Sequence, residues 1–188
     1  MNRLQKASVI TYLADRLIKH GSWSGETHLQ KGMYFLQEVF RVDTDFGFVL
    51  YKHGPFSFDL RDEISELNAD GLLALGRQPY PYGPSLVPTD RSRALWAESR
   101  VTIGRNQEAI NAVAELLDRK GVADLERLAT ALFVINENPK ASHDAVAARI
   151  VELKPHVSMS DALQAVSSLY KFLKRSSPQG QSAEAVRA

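Results

Sequence analysis

Apolar residues recur at helical spacing along most of the chain, and this periodicity constrains the fold more than any other feature. Only three short runs have the composition of strands, at 46–51, 72–75 and 85–87. The spacing predicts helices over 4–19, 26–40, 57–68, 89–99, 106–120, 122–136, 142–153 and 158–174. The fold class is therefore expected to be mainly α with a small β-hairpin (α+β).

The order of the predicted elements suggests how they are arranged. Helix, helix, short strand, helix and hairpin over 1–100 is the order of a winged helix-turn-helix, and 101–175 is helical throughout. No repeat or linker divides the chain, so we expect one compact domain over 1–175 with a soft boundary near residue 100. Residues 176–188 lack periodic apolar positions, which predicts a disordered tail.

Composition excludes several classes of chemistry. The chain has 188 residues and no cysteine, which excludes disulfides, thiolate nucleophiles and cysteine-ligated zinc. The five histidines have no metal-ligand spacing, and no phosphate-binding glycine motif occurs, so we expect neither a metal nor a cofactor. No apolar run approaches the length of a membrane span, and a cytoplasmic location with no membrane partner is expected.

The run at 51–57, Tyr-Lys-His-Gly-Pro-Phe-Ser, leads into the third predicted helix. Gly54-Pro55 favours a turn, and Ser57 is a residue type that caps helix N-termini. A serine four residues after His53 is also compatible with a nucleophile and its base, which makes a hydrolase a third hypothesis. We favour the turn and the cap, because they account for both residues without catalysis.

The third predicted helix is strongly acidic. Its one basic residue is Arg61, and its candidate partner-binding residues are Asp59, Asp62, Glu63 and Glu66. Residues 26–70 contain nine acidic and four basic residues, a net charge of −5, although the whole chain carries +1. Because phosphate contacts dominate DNA affinity, this charge disfavours DNA and favours a protein partner.

A winged-helix DNA-binding transcriptional regulator is the alternative hypothesis. Basic residues flank the predicted hairpin, and a contact led by the wing would use them in place of the acidic helix. The candidate DNA contacts are Arg77, Arg91 and Arg93.

Two stretches of the chain form its most distinctive motif. The first is Leu-Gln-Lys-Gly-Met-Tyr-Phe-Leu-Gln at 29–37, and the second is the run at 51–57. They resemble the YwgA-like family, the related Panacea antitoxin domain and the toxin-binding C-terminal domain of the DarG antitoxins, over about 26–75. The residues that carry the resemblance are Leu29, Gln30, Lys31, Tyr34, Leu36, Tyr51, Gly54, Pro55, Phe56 and Ser57.

The resemblance implies a mainly helical protein that acts through protein contacts in toxin neutralisation or phage defence, with no catalysis of its own. Its partner would be a protein, such as a toxin encoded nearby, and a homodimer stays open. Gln30 and Lys31 are long polar residues in an otherwise apolar helix. They are expected either to hold the 51–57 segment or to face a partner.

Overall fold

The structure, a computed structural model, describes residues 1–78 and 83–176. Over these residues the predicted α+β class is confirmed, with eight helices and two antiparallel hairpins. In chain order the elements are α1 (Arg3–Lys19), α2 (Glu26–Phe40), β1 (Val49–Tyr51), β2 (Gly54–Phe56), α3 (Phe58–Ala69), β3 (Leu73–Gly76), β4 (Ser85–Pro88), α4 (Asp90–Glu98), α5 (Arg100–Leu116), α6 (Val122–Glu137), α7 (His143–Leu153) and α8 (Met159–Ser176).

The centre of the fold is built on α2, α5 and α6. Helix α2 is buried at every position from 28 to 36, because α1, α5, α6 and β2 all pack around it. Helix α6 also contacts α7 and α8, so one cluster of buried apolar side chains runs from α1 to α8. The predicted core positions Leu29, Met33 and Leu36 are fully buried, whereas Phe40 is half-buried.

The α1–α2 contact depends on a small residue. A Cβ atom on Gly32 would lie 2.7 Å from Cδ2 of Leu13, and Leu13 is fully buried. The absence of a side chain at Gly32 therefore lets α1 lie close against α2, and this contact accounts for an interior glycine in a long helix.

The predicted turn at Gly54-Pro55 is wrong by two residues. Tyr51 pairs with Gly54, so the turn of the β1–β2 hairpin is Lys52-His53, and Gly54 already belongs to β2. Gly54 has a φ of +81°, and a Cβ there would lie 3.1 Å from Oγ1 of Thr130. Contact with α6, which no local signal encodes, brings this segment against the core.

The third helix and the second hairpin follow the prediction closely. Ser57 is the N-cap of α3, and its Oγ accepts a hydrogen bond of 3.2 Å from the backbone N–H of Leu60. Strands β3 and β4 pair with Leu73 opposite Pro88. The predicted loop between them includes residues 79–82, which lie outside the described residues.

Two boundaries in the C-terminal half differ from the prediction. Helix α5 begins at Arg100 instead of Asn106 and ends at Leu116. Ser99 is both the C-cap of α4 and the N-cap of α5. Ile103 in its first turn is buried, and that contact outweighs the weak local helix signal of Val101, Thr102 and Gly104. The predicted tail begins inside α8 at Ser176, and 177–188 lie outside the described residues.

Candidate functional site

Polar side chains of the first motif stretch hold the second stretch in place by hydrogen bonds. The side-chain amide of Gln30 donates to the backbone oxygen of Ser57 and accepts from the backbone N–H of Ser57, each at 2.9 Å. Both residues are fully buried. Of the two roles open to Gln30, the structure shows that of holding the 51–57 segment.

Lys31 has the same role one residue further along. Its Nζ donates to the backbone oxygen of Pro55 at 2.8 Å, and the residue is only 1% exposed. Burial lowers the pKa of Lys31 to about 8, with Lys154 adding to this effect and Glu126 opposing it. A cation this deeply enclosed has no access to a partner.

Sequence reasoning missed a second buried lysine and its counter-ion. The Nζ of Lys154 donates to the backbone oxygens of Tyr51 at 2.7 Å and Lys52 at 2.8 Å. It also lies 3.2 Å from Oε1 of Glu126, which α6 places under the hairpin. The available signal was an acidic residue inside the most apolar predicted helix, but its partner lies 28 positions later. We call Lys31, Glu126 and Lys154 the buried charge cluster.

Two histidines contact this cluster from outside. Nδ1 of His53 lies 3.6 Å from Oε2 of Glu126, and Nε2 of His156 lies 3.4 Å from Oε1. His53 therefore faces a carboxylate on α6. The hydrolase hypothesis pairs His53 with Ser57 as the nucleophile, but the hydroxyl of Ser57 is buried and caps α3.

Two aromatic side chains of the second motif stretch, Tyr51 and Phe56, lie at the surface beside Phe58 at the start of α3. Tyr51 and Phe58 are 53% and 42% exposed, and Phe56 lies half-buried between them. The Phe56 ring centroid lies 5.8 Å from that of Tyr51 and 5.1 Å from that of Phe58, and the guanidinium of Arg61 lies 5.2 Å above Phe58. We call Tyr51, Phe56 and Phe58 the aromatic patch.

The predicted acidic residues begin beside this patch and continue along α3. Their spacing of three and four residues places them on one helix face, which we call the acidic stripe: Asp59, Asp62, Glu63 and Glu66. Arg3 of α1 binds the far end, 3.3 Å from Glu63 and 3.1 Å from Glu66. The near end is more open, because Asp59 is exposed and Asp62 forms its ion pair with its neighbour Arg61, at 3.2 Å.

The candidate DNA contacts are all exposed but do not share one element. Arg77 follows β3, whereas Arg91 and Arg93 lie in the first turns of α4, and Arg93 pairs with Asp90.

The remaining motif residues Leu29, Leu36 and Tyr34 are buried in α2, where Tyr34 packs against Phe48.

The described part of the chain, 1–78 and 83–176, contains no group of three or more His, Asp or Glu side chains placed to hold a metal ion. None of its helices is long and apolar enough to cross a membrane.

No model of a known protein family matches the chain, and no curated protein matches it.

Proposed function

We propose that this protein is a non-catalytic interaction module of the antitoxin or phage-defence type, which acts in the cytoplasm. It binds a basic protein partner, such as a toxin encoded by an adjacent gene, through the aromatic patch and the acidic stripe. One observation carries the proposal: three aromatic rings stand at the surface directly beside the open end of an acidic helix face.

Aromatic side chains at a surface are effective binding groups, because they offer a large contact area and lose little conformational freedom on binding. In the patch each ring is already held against a neighbour, since Tyr51 and Phe58 also lie 5.6 Å apart. A partner that covers these rings gains apolar burial without having to order them first.

The acidic stripe determines which partners are attracted. Asp59 and Asp62 lie within four residues of Phe58, and they give the rim of the patch a negative charge. Complementary charge at a rim raises the association rate and selects against partners of the same sign. A basic surface with an apolar centre is the chemistry that fits this arrangement.

The motif resemblance supports the same assignment. The stretch at 51–57 that resembles the antitoxin families supplies two of the three rings, and Gln30 and Lys31 of the other stretch hold its backbone in place. The motif thus builds the surface that the proposal assigns to partner binding.

The direct test is to co-express the full chain with the product of the adjacent gene and to measure the affinity by calorimetry. We expect Phe58→Ser, and separately the double variant Asp62→Lys/Glu66→Lys, to weaken binding about 100-fold, equivalent to about 2.7 kcal/mol. The matched control is Glu98→Lys/Glu115→Lys, two exposed acidic residues on α4 and α5, which should leave the affinity unchanged.

Two results would count against the proposal. One is equal binding by the patch variants and the control variant. The other is salt-dependent binding of duplex DNA that is lost when Arg77, Arg91 and Arg93 are replaced by alanine, which would favour the transcriptional regulator.

A further inference from the structure

A second surface feature, which shares no residue with the aromatic patch, lies between α2, α6 and the segment before β1. It is a cavity of about 260 Å³. Its six lining residues are Tyr34, Glu38, Phe48, Phe133, Asn136 and Glu137. Half of them are aromatic and two are acidic.

The aromatic wall is held in place by the core. Tyr34 is 3% exposed, and its ring meets that of Phe48 at a centroid distance of 5.1 Å and an interplanar angle of 63°. Phe133 is half-buried and packs against the core cluster. Aromatic rings carry negative charge on their faces and attract cations within about 6 Å of the ring centre.

The two carboxylates make the cavity still more favourable to a cation. The amide of Asn136 donates to Oε2 of Glu38 at 3.1 Å, which orients that carboxylate, and Glu137 is exposed at the rim. Burial is the main reason why the pKa of Tyr34 is raised, and the charges of Glu38 and Glu137 raise it further. The carboxylates therefore impose a negative potential on a ring of the wall.

Two basic side chains of the protein also face these carboxylates. Nη1 of Arg41 lies 3.9 Å from Oε2 of Glu38, and Arg149 interacts with Glu137 through its charge. Neither arginine lines the cavity, and the Arg41 side chain is 79% exposed. They partly neutralise the rim but leave the space between the rings open.

We propose that this cavity binds an organic cation of the size of a lysine or arginine head group. Its volume is below the roughly 300–1,000 Å³ of pockets that hold whole drug-sized ligands or cofactors, so one head group is the matching size. The cation can be a free small ammonium or guanidinium compound, or a side chain of a basic protein segment. The site shares no residue with the aromatic patch and does not depend on the function proposed above.

The test is a titration of the full chain with small compounds. Binding is monitored by NMR, through the carbon–proton correlation signals of the aromatic rings. Tetramethylammonium and methylguanidinium are compared with the neutral tert-butanol and methylurea. We expect saturable shifts of the Tyr34, Phe48 and Phe133 signals with the cations, and at least tenfold weaker binding of the neutral compounds.

Variants locate the binding. Glu137→Gln changes an exposed residue and should weaken cation binding several-fold with the fold intact, whereas Phe133→Leu should weaken it at least tenfold. Glu115→Gln on α5 is the matched control and should have no effect, and Arg41→Gln should strengthen binding because a competing cation is removed. Equal shifts by cations and neutral compounds, or unchanged binding by Glu137→Gln and Phe133→Leu, would overturn the proposal.

A second arm identifies the source of the cation. The tripeptide Gly-Arg-Gly is compared with Gly-citrulline-Gly, which has the same shape without the charge. Tighter binding of the arginine peptide than of methylguanidinium supports a basic protein segment, and weaker binding supports a free small molecule. Equal binding of the two tripeptides would contradict recognition of a cation.

Discussion

The buried charge cluster and the aromatic patch lie on opposite sides of the same hairpin, and they use different parts of its residues. On the inner side, Lys31 and Lys154 bind backbone oxygens of Pro55, Tyr51 and Lys52. On the outer side, the ring of Tyr51 is exposed. Holding a segment by its backbone leaves its side chains available for binding, and this division allows one short motif to serve both stability and recognition.

The energetics of the two sides also differ. Burying two lysines and a glutamate costs desolvation energy, which their mutual attraction and hydrogen bonds offset only while all the partners are present. Tyr51 and Phe58 keep about half of their surface exposed, so they contribute less to folding than fully buried rings would. Substitutions on the two sides should therefore separate stability from binding.

The largest effect is expected when the counter-ion of the cluster is removed. Glu126→Gln leaves Lys154 and Lys31 buried without a carboxylate, and we expect the free energy of unfolding to fall by about 4 kcal/mol. Urea denaturation followed by circular dichroism measures it. Glu98→Gln, on the exposed face of α4, should change stability by less than about 0.5 kcal/mol. Equal effects of the two variants would refute the importance of the buried charges.

A pH effect of about 2 kcal/mol should follow from the buried lysine. The folded chain releases the Lys31 proton near pH 8, whereas the unfolded chain keeps it up to its ordinary pKa of 10.5. The unfolded state thus binds more protons in this range, so the contribution of Lys31 to stability rises with pH. Between pH 7.5 and 9.5 the stability difference between wild type and Lys31→Met should shift by about 2 kcal/mol in favour of wild type.

The control for this measurement is Lys171→Met, which removes an exposed lysine of α8. Its difference from wild type should stay constant over the same range. Parallel pH curves for wild type and Lys31→Met would show that Lys31 titrates normally in the folded protein.

A smaller effect separates two helix-interior glycines, one packed against a neighbouring helix and one facing open space. Gly104→Ala in α5 adds a methyl group to open space and should stabilise the protein by about 1 kcal/mol through helix propensity. Gly32→Ala in α2 gains the same propensity but forces a contact with buried Leu13, and we expect a net loss of about 1 kcal/mol. Thermal denaturation of both variants tests this, and stabilisation by both would mean that the α1–α2 contact yields easily.

The smallest effect on stability is expected in the aromatic patch. Phe58→Ser removes an exposed ring and its contact with Arg61, and it should lower the free energy of unfolding by no more than about 1 kcal/mol. Urea denaturation of this variant provides the comparison with Glu126→Gln. A loss as large as that of Glu126→Gln would mean that the patch, too, serves the fold.

Local signals were enough to predict much of the helical structure. The bounds of α2 agree with the spacing of Leu29, Met33 and Leu36, and Ser57 caps α3 as expected. The acidic face of α3 also follows from position on a helix, because its carboxylates are three and four residues apart. The start of α5 at Arg100 was missed, since it depends on the burial of Ile103 against other elements.

By itself the sequence determined most of the helices, the Ser57 cap and the acidic face of α3, because these depend on residues within one or two turns of each other. Only the tertiary structure decided that the hairpin turns at Lys52-His53, that Glu126 pairs with Lys154, and that Arg3 binds one end of the acidic stripe. The two ion pairs join segments far apart in the chain, and the position of the hairpin depends on the contact of Gly54 with α6. Their energies come from burial and charge pairing, which exist only once the helices have packed together.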